Sequence, residues 1–261
     1  MLTRPDLSRM AVQVRPLVLG VLDLLLPPRP LDETKSASQG VQSVGLSPLT
    51  WSRITFIDAP VCDACGSPFE FDMGPGARCI ACQGRERAFD RARAACLYDE
   101  HSRDLILKLK HADRTDLAPL LARWLARGAA DILPDADAVI PVPLHPMRLL
   151  SRRYNQAAEV ARPLARSTNL AFWPDALVRR RRTPTQGGKS GDARRRNMAA
   201  AFAVPDRWRS RIDGRRLLLV DDVLTTGATA EGCARALKAA GAARVDLAVI
   251  ARVKELTLRP I

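Results

Sequence analysis

The sequence predicts an α/β protein with a doubly wound, mainly parallel sheet, preceded by a small cysteine-rich module. Strand and helix patterns alternate from about residue 88 to the C-terminus, which is typical of a parallel sheet with helices on both faces. Two C-x2-C pairs stand directly before that region. We therefore divide the chain into an N-terminal segment (1–57), a cysteine module (58–87) and an α/β domain (88–261).

The elements of the α/β domain follow from apolar periodicity and from turn residues. Short apolar runs predict strands, and longer runs with helical spacing predict helices. The predicted strands are 93–98, 138–142, 217–221 and 245–251, and the predicted helices are 104–110, 116–129, 155–167 and 228–240.

Charge is the unusual part of the composition. The chain has 41 Lys plus Arg against 28 Asp plus Glu, a formal net charge of +13. This surplus favours polyanionic partners, namely phosphates, nucleic acid or an anionic surface. The alternative is an arginine-rich composition that serves no partner.

A targeting or membrane role for the N-terminal segment is the next question. The apolar stretch 17–26 follows three arginines, as a signal peptide would, but it contains Asp23 and runs into Pro27 and Pro28 without a cleavage site of small residues. No apolar run is long enough to span a membrane. We therefore expect a cytoplasmic protein in which this stretch forms an N-terminal helix that packs on the rest of the chain.

The cysteine module has the spacing of a zinc ribbon. Two C-x2-C pairs can each form a tight turn, and together they offer four thiolates to one tetrahedral zinc ion. Four protein ligands leave no open position, so the metal would be structural. Two disulfides and an iron–sulfur cluster are the alternatives. The four predicted ligands are Cys62, Cys65, Cys79 and Cys82, whereas Cys96 and Cys233 are expected in the core.

The run LLLVDDVLTTGAT (217–229) predicts a site at the end of a buried strand. Asp221 and Asp222 fall at the carboxyl end of the strand, where open α/β sheets bind ligands, and can accept hydrogen bonds from vicinal ribose hydroxyls. The loop that follows offers hydroxyls and backbone N–H groups at a helix N-terminus, which suits a phosphate. Its residues are Thr225, Thr226, Gly227, Ala228 and Thr229.

This run resembles the signature of type I phosphoribosyltransferases, which bind 5-phosphoribosyl 1-pyrophosphate (PRPP). The alternative is an ordinary strand–loop–helix joint whose aspartates cap the helix. The resemblance makes Asp221 and Asp222 the candidate catalytic residues and implies the type I phosphoribosyltransferase fold for the α/β domain.

Arginines cluster in two further segments. The first lies between the predicted strand 138–142 and the next helix, where arginines and amides can hold a pyrophosphate. The second, 179–196, holds seven Arg and one Lys around a Gly-rich centre, and suits a lid over anions, a nucleic-acid contact or a solvated charge run. Lys108 and Lys110 can face phosphate, or they can simply complement a helix C-terminus.

The order of the cysteine module, PVPLHP…RRYNQA, RTPTQ…RRRNMAAAF and VDDVLTTGAT resembles the ComF family from about residue 17 to 252. That family joins a ribbon to a type I phosphoribosyltransferase domain and is linked to natural competence. The resemblance implies a pyrophosphate loop of Arg148, Arg152, Asn155 and Gln156, and a mobile loop containing Thr183, Gln186, Arg194 and Asn197. It also implies magnesium with PRPP, single-stranded DNA as a partner, and contact with DNA-uptake helicases or recombination mediators.

The chain departs from the family pattern in its first ribbon. Many members carry two further C-x2-C pairs, but here those frames read Pro30-Leu-Asp-Glu33 and Ser47-Pro-Leu-Thr50. We therefore expect one zinc ion and a metal-free first ribbon within 1–57. Arg153 also replaces a glycine that is common in the family.

Three functional interpretations follow. The first is a phosphoribosyltransferase of the ComF type, whose acceptor the sequence does not identify, acting in the uptake and handling of single-stranded DNA. The second is a non-catalytic module that senses PRPP or binds DNA and protein partners. The third is a nucleobase salvage enzyme, which the ribbon disfavours.

Overall fold

The structure is a computed structural model that describes residues 46–111, 114–144, 154–180 and 201–254. The chain divides into two compact units, Met1–Trp51 and Ser52–Ile261. The second unit contains both the cysteine module and the α/β domain. The predicted N-terminal helix lies outside the described residues.

Five strands form one parallel sheet in the order β1-β7-β6-β2-β3. A two-stranded antiparallel hairpin, β4–β5, stands apart from it. The strands are β1 (Ala92–Leu97), β2 (Ala138–Pro141), β3 (Ala171–Phe172), β4 (Val178–Arg179), β5 (Phe202–Ala203), β6 (Arg216–Leu224) and β7 (Arg244–Arg252).

Helices cover both faces of this sheet. The helices are α1 (Pro48–Arg53), α2 (Ile80–Gln83), α3 (Glu100–His111), α4 (Ala118–Gly128), α5 (Gln156–Ser167), α6 (Asp206–Ile212) and α7 (Ala228–Ala239). On β6, Leu217 and Leu219 join the same core as α7, while the alternate residues Leu218 and Val220 point to the opposite face, where α4 and α5 pack. The predicted doubly wound α/β fold is confirmed.

Two differences from the predicted elements affect the site. Strand β6 continues past residue 221 to Leu224, because β7 pairs with it as far as Arg252. The hairpin β4–β5 was not predicted, since strands of two residues carry no readable periodicity. The helix α6 was not predicted either. In the part of the chain that is described, no helix has the length and apolar content needed to cross a membrane.

The frame Ser47–Thr50, where family members carry a cysteine pair, forms a helix start. The Ser47 hydroxyl accepts the Thr50 N–H (3.3 Å) and donates to the Thr50 hydroxyl (3.0 Å). This is the bonding of a helix N-cap, and it satisfies a backbone donor at the start of α1. The hydroxyls of this frame therefore serve the backbone of α1.

The cysteine module is joined to the first strand of the sheet through Gly66. The Ala92 N–H donates to the Ala64 carbonyl (2.9 Å). Gly66 has φ +68°, and a Cβ at this position would lie 2.5 Å from the Ala92 carbonyl oxygen. Only glycine combines this backbone conformation with so close an approach. Gly84, which follows the second cysteine pair, has φ −97° and open space around it.

We predict that Gly66→Ala lowers the free energy of unfolding by about 1–3 kcal/mol, because the new methyl group meets the backbone of β1 in a left-handed conformation. Gly84→Ala is the matched control and should change stability by less than about 0.5 kcal/mol. Urea denaturation of both variants measures the difference. Equal stability of the two variants would contradict this account of the joint.

Candidate functional site

The four cysteines of the module meet at one point. Their sulfur atoms all lie within 4.8 Å of one another, and Cys65 Sγ is 3.7 Å from Cys79 Sγ. A tetrahedral zinc ion with Zn–S bonds of about 2.3 Å requires sulfurs about 3.8 Å apart. No disulfide joins any of the six cysteines. The donor set and its spacing therefore fit a four-thiolate metal site, and the set consists of the four predicted ligands.

The thiols depend on one another for their protonation. The Cys65 thiol is hydrogen-bonded to Cys62, which lowers the pKa of Cys62 to about 4 and raises the pKa of Cys65 well above its usual value. Burial raises the pKa of Cys79 to about 11. Four thiolates therefore form together only when a cation binds among them.

A buried arginine of the sheet contacts this cluster. Arg252, at the end of β7, is 2% exposed, donates to the Cys65 carbonyl (2.5 Å) and lies 3.4 Å from Cys65 Sγ. A zinc ion with four thiolates carries a net charge of −2, so a buried guanidinium beside it offsets part of that charge. The cluster is thus tied electrostatically to the carboxyl end of the sheet.

The two aspartates lie on β6 at the carboxyl edge of the sheet. The Asp222 N–H donates to Asp221 Oδ1 (2.8 Å), and Lys110 Nζ lies 2.9 Å from Asp222 Oδ2. Burial and the neighbouring Asp222 charge raise the pKa of Asp221 to about 8. Adjacent carboxylates with a perturbed pKa are characteristic of functional sites. Lys110, in the last turn of α3, therefore contacts the aspartate pair.

The loop after the aspartates surrounds a small pocket at the start of α7. Gly227 has φ +82° and precedes the helix, whose first-turn N–H groups point back towards the loop. The cavity has a volume of about 60 Å³. Its walls include Asp221, Thr225, Thr226, Gly227, Ala228, Thr229 and Ala230. The structure therefore brings the predicted phosphate loop together with Asp221.

The predicted pyrophosphate loop is described only in part, because Arg148 and Arg152 lie outside the described residues. Asn155 accepts the Ala157 N–H (3.1 Å) as the N-cap of α5 and donates to the Val142 carbonyl (3.0 Å). The Gln156 side chain is buried, at 1% exposure. Both residues thus shape the end of this loop from within the fold.

The two ends of the predicted mobile loop pair with each other, and one of them carries an arginine that interacts with Asp221. Thr183, Gln186, Arg194 and Asn197 lie outside the described residues, but the hairpin β4–β5 flanks them, with the Arg180 N–H donating to the Ala201 carbonyl (2.8 Å). Arg179 lies 5.4 Å from the Phe202 ring centroid and close enough to Asp221 for its charge to favour the ionised carboxylate.

Arg179, Arg85 and Arg87 are site-region residues that the sequence did not single out as contacts. Arg85 and Arg87 follow the last cysteine of the module, and both contact the buried Glu231 in the first turn of α7. The only sequence signal was their position directly after the cysteine module, because their carboxylate partner is more than 140 residues away.

A family model described as "Phosphoribosyl transferase domain" matches residues 155–261. DNA utilization protein YhgH of Shigella flexneri is 33% identical over 208 residues, covering 77% of this chain and 88% of the relative. DNA utilization protein YhgH of Escherichia coli (strain K12) is 32% identical with the same coverage. Competence protein F of Haemophilus influenzae is 30% identical over 198 residues, covering 74% of this chain and 85% of the relative.

Two solved structures are similar at greater distance. A glutamine PRPP amidotransferase from B. subtilis, complexed with ADP and GMP, is 22% identical with a TM-score of 0.36, covering 51% of this chain and 26% of that chain. A glutamic acid mutant from an analysis of an invariant aspartic acid in HPRTs is 14% identical with a TM-score of 0.33, covering 61% and 73%.

The sequence relatives carry the assignment. The identities of 30–33% extend over about three quarters of this chain and at least 85% of each relative. The chain belongs to the ComF/YhgH family and has a phosphoribosyltransferase-type domain preceded by a four-cysteine cluster.

Proposed function

We propose that this chain binds PRPP with magnesium at the carboxyl edge of its sheet and transfers the phosphoribosyl group to an acceptor. The observation that carries the proposal is the position of Asp221 in one small pocket with the loop 225–229 at the start of α7. Carboxylate oxygens, a phosphate-binding loop and a helix N-terminus there match the parts of a ribose 5-phosphate.

Each group has a separate role in this proposal. Asp221 and Asp222 accept hydrogen bonds from the vicinal ribose hydroxyls, and residues 225–229 hold the 5′-phosphate. Arg148 and Arg152, on the segment before α5, take the pyrophosphate by charge-assisted hydrogen bonds. Bound magnesium would neutralise charge on the departing pyrophosphate, and the carboxylate oxygens at the pocket suit its preference for oxygen ligands and substrate phosphates.

The reaction breaks the bond between C1 of the ribose and the pyrophosphate oxygen, and the acceptor nucleophile forms the new bond to C1. Protein groups contribute positioning and charge stabilisation to such a step. The loop 181–200, which contains Thr183, Gln186, Arg194 and Asn197, closes over the site in this proposal. The pairing of β4 with β5 at its ends, and the interaction of Arg179 with Asp221, support this role. A pocket that retains PRPP without transfer is the alternative.

The same proposal assigns one structural zinc ion to Cys62, Cys65, Cys79 and Cys82. The 4.8 Å limit on the sulfur separations and the buried guanidinium of Arg252 support it. The assignment of a single zinc ion follows from the frame Ser47–Thr50, which holds no cysteine and whose Ser47 hydroxyl caps α1.

We further propose a role in DNA uptake and in handling incoming single-stranded DNA in the cytoplasm, with helicase or recombination-mediator proteins as partners. The names of the relatives, DNA utilization protein and Competence protein F, suggest this role. The net charge of +13 and the run 179–196 supply the cations that a nucleic-acid backbone requires.

The metal assignment predicts one zinc ion per chain by elemental analysis of protein purified under reducing conditions. Cys62→Ser and Cys79→Ser should each lower this content sharply, because three thiolates bind zinc much more weakly than four. Cys96→Ser is the control, since its hydroxyl can replace the thiol donor to the Ile250 carbonyl. Two zinc ions per chain would refute the assignment.

The PRPP assignment predicts that Asp221→Asn/Asp222→Asn weakens binding of magnesium PRPP at least tenfold, because the amides present N–H donors where carboxylate oxygens would accept from the ribose hydroxyls. Isothermal titration calorimetry measures this change. Asp206→Asn removes an exposed carboxylate at the start of α6 and should leave the affinity unchanged. Equal affinity of the wild type and the double variant would exclude this site.

Transfer predicts pyrophosphate release from PRPP when the correct acceptor is added. A panel of nucleobases, nucleotides and single-stranded DNA identifies its class. Binding of magnesium PRPP without release by any member of the panel would favour the sensing alternative.

The DNA role predicts that log K for single-stranded DNA falls linearly with log salt. Replacing Arg194, Arg195 and Arg196 by Gln should reduce the steepness of this slope by about 2, since each neutralised phosphate contributes about 0.7. The matched control replaces Arg207, Arg209 and Arg211 of α6 by Gln, with the same loss of charge. A flat salt dependence, or the same change in both triple variants, would exclude the loop as the contact.

A further inference from the structure

One buried carboxylate at the start of α7 collects three arginines. Glu231 is 2% exposed, and its Oε1 lies 2.6 Å from Arg85 Nη2 and 3.3 Å from Arg87 Nη1. Its Oε2 lies 3.5 Å from Arg235 Nη1. Arg235 belongs to α7 itself, whereas Arg85 and Arg87 come from the segment directly after Cys82. The carboxylate therefore joins the end of the cysteine module to the helix that begins at the phosphate loop.

In the described part of the chain, Arg87 also contacts the phosphate loop, and Arg85 does not. Arg87 Nη1 donates to the Thr226 carbonyl (3.1 Å), and a Cβ at Gly227 would lie 3.0 Å from that same nitrogen. Only residues 83–86 separate Arg87 from Cys82, the last ligand of the cysteine cluster. The Arg87 side chain is 6% exposed. One buried guanidinium, placed directly after the cysteine module, thus contacts both Glu231 and the backbone of the phosphate loop.

The contact with Thr226 fixes the direction of a peptide group. In a trans peptide the carbonyl and the following N–H point in opposite directions. Because the Thr226 carbonyl faces Arg87, the Gly227 N–H faces away from it. That N–H belongs to the loop that lines the pocket beside Asp221. The guanidinium also places a buried positive charge next to a loop suited to a phosphate dianion.

The cysteine module is connected to this guanidinium by a short stretch of chain. Four zinc-bound thiolates form a fixed, negatively charged cluster, and a module of this kind loses its folding energy when the metal leaves. Residues 83–87 run from Cys82 to Arg87, so their course depends on the second cysteine pair.

We propose that Arg87 is a positioning residue that couples metal loading of the cysteine module to the conformation of the phosphate loop. The loaded cluster holds Arg87 against the Thr226 carbonyl, and this contact keeps the loop ready for the 5′-phosphate. The inference rests on the proposed PRPP pocket. It adds a positioning role for the ribbon in ligand binding, since the metal and the phosphate then stabilise each other's sites.

The test compares Arg87→Gln with Arg85→Gln in the full chain. Both variants lose one positive charge and one contact with Glu231, but only the first loses the contact with the loop. Arg87→Gln should weaken binding of magnesium PRPP about tenfold in calorimetry, a loss typical of one charge-assisted hydrogen bond. It should also speed hydrogen exchange of the amides of residues 225–230, with zinc content still at one per chain. Arg85→Gln should change the affinity less than threefold.

A second arm removes zinc with a chelator under reducing conditions. Wild-type exchange at residues 225–230 should rise to the level of Arg87→Gln, whereas stripped Arg87→Gln should show little further increase, as two perturbations of one pathway do. Arg87→Lys serves if Arg87→Gln does not fold. It keeps the charge, but its single ammonium lacks the planar fork that joins several acceptors, so it should also weaken binding.

The outcomes separate the two proposals. Wild-type protein that does not bind magnesium PRPP refutes the proposed pocket, and the exchange measurements then still decide the coupling. Wild-type protein that binds, with unchanged affinity and exchange in Arg87→Gln, overturns the inference and leaves the pocket intact. Equal losses in Arg85→Gln and Arg87→Gln also overturn it, because the effect would then come from Glu231 alone.

Discussion

The parallel pairing of β6 with β7 on one side and β2 on the other is the constraint on which the site depends. The pairing with β7 extends from Arg216 to Leu224, so the polar side chains at the ends of both strands lie at the same carboxyl edge. On β6 these side chains are Asp221 and Asp222. On β7 the side chain is Arg252, which contacts the cysteine cluster. This register holds Arg252, which contacts the cysteine module, and the two aspartates at the same edge of one sheet.

The sequence was sufficient for the elements with strong periodicity and failed where the partners are distant. The helix predicted at 228–240 is α7 within one residue, and the aspartates lie at the predicted edge. The continuation of β6 to Leu224 was missed because polar residues interrupt its apolar run, and only the pairing with β7 makes it a strand. The contact of Lys110 with Asp222 and that of Arg87 with Glu231 join residues more than 100 positions apart, and no local pattern encodes such pairs.

The positive charge of the chain has a large internal use. In the described ranges, Arg93 pairs with Asp131 (2.7 Å), and Arg91 pairs with Asp246 (3.3 Å) across the start of the sheet. From buried positions, Arg252 contacts the cysteine cluster and Arg87 contacts Glu231 and the Thr226 carbonyl. Arginine suits such sites because its planar guanidinium stays charged and joins several acceptors at once. Each such pair also uses one acidic residue, so these pairs leave the net charge of +13 unchanged. The nucleic-acid proposal therefore depends on where the surplus lies, and the segment 181–200 contributes five Arg and one Lys against one Asp.

The aspartate pair shows how the site is balanced before a ligand binds. Two adjacent carboxylates in a partly buried position are costly to ionise together, because burial raises the pKa of Asp221 and the charge of Asp222 raises it further. Lys110 offsets it by pairing with Asp222, and Arg179 favours the ionised form of Asp221. Ribose hydroxyls that donate to these oxygens would stabilise the ionised carboxylates. The unfavourable free energy of ionising both groups in the free protein therefore favours binding of a ribose in the pocket. Such a pair is hard to explain as a device for folding, because replacing either carboxylate by an amide would remove the repulsion. Its position near the end of β6, where Asp221 lines one pocket with the loop 225–229, supports the proposed binding of a ribose phosphate there.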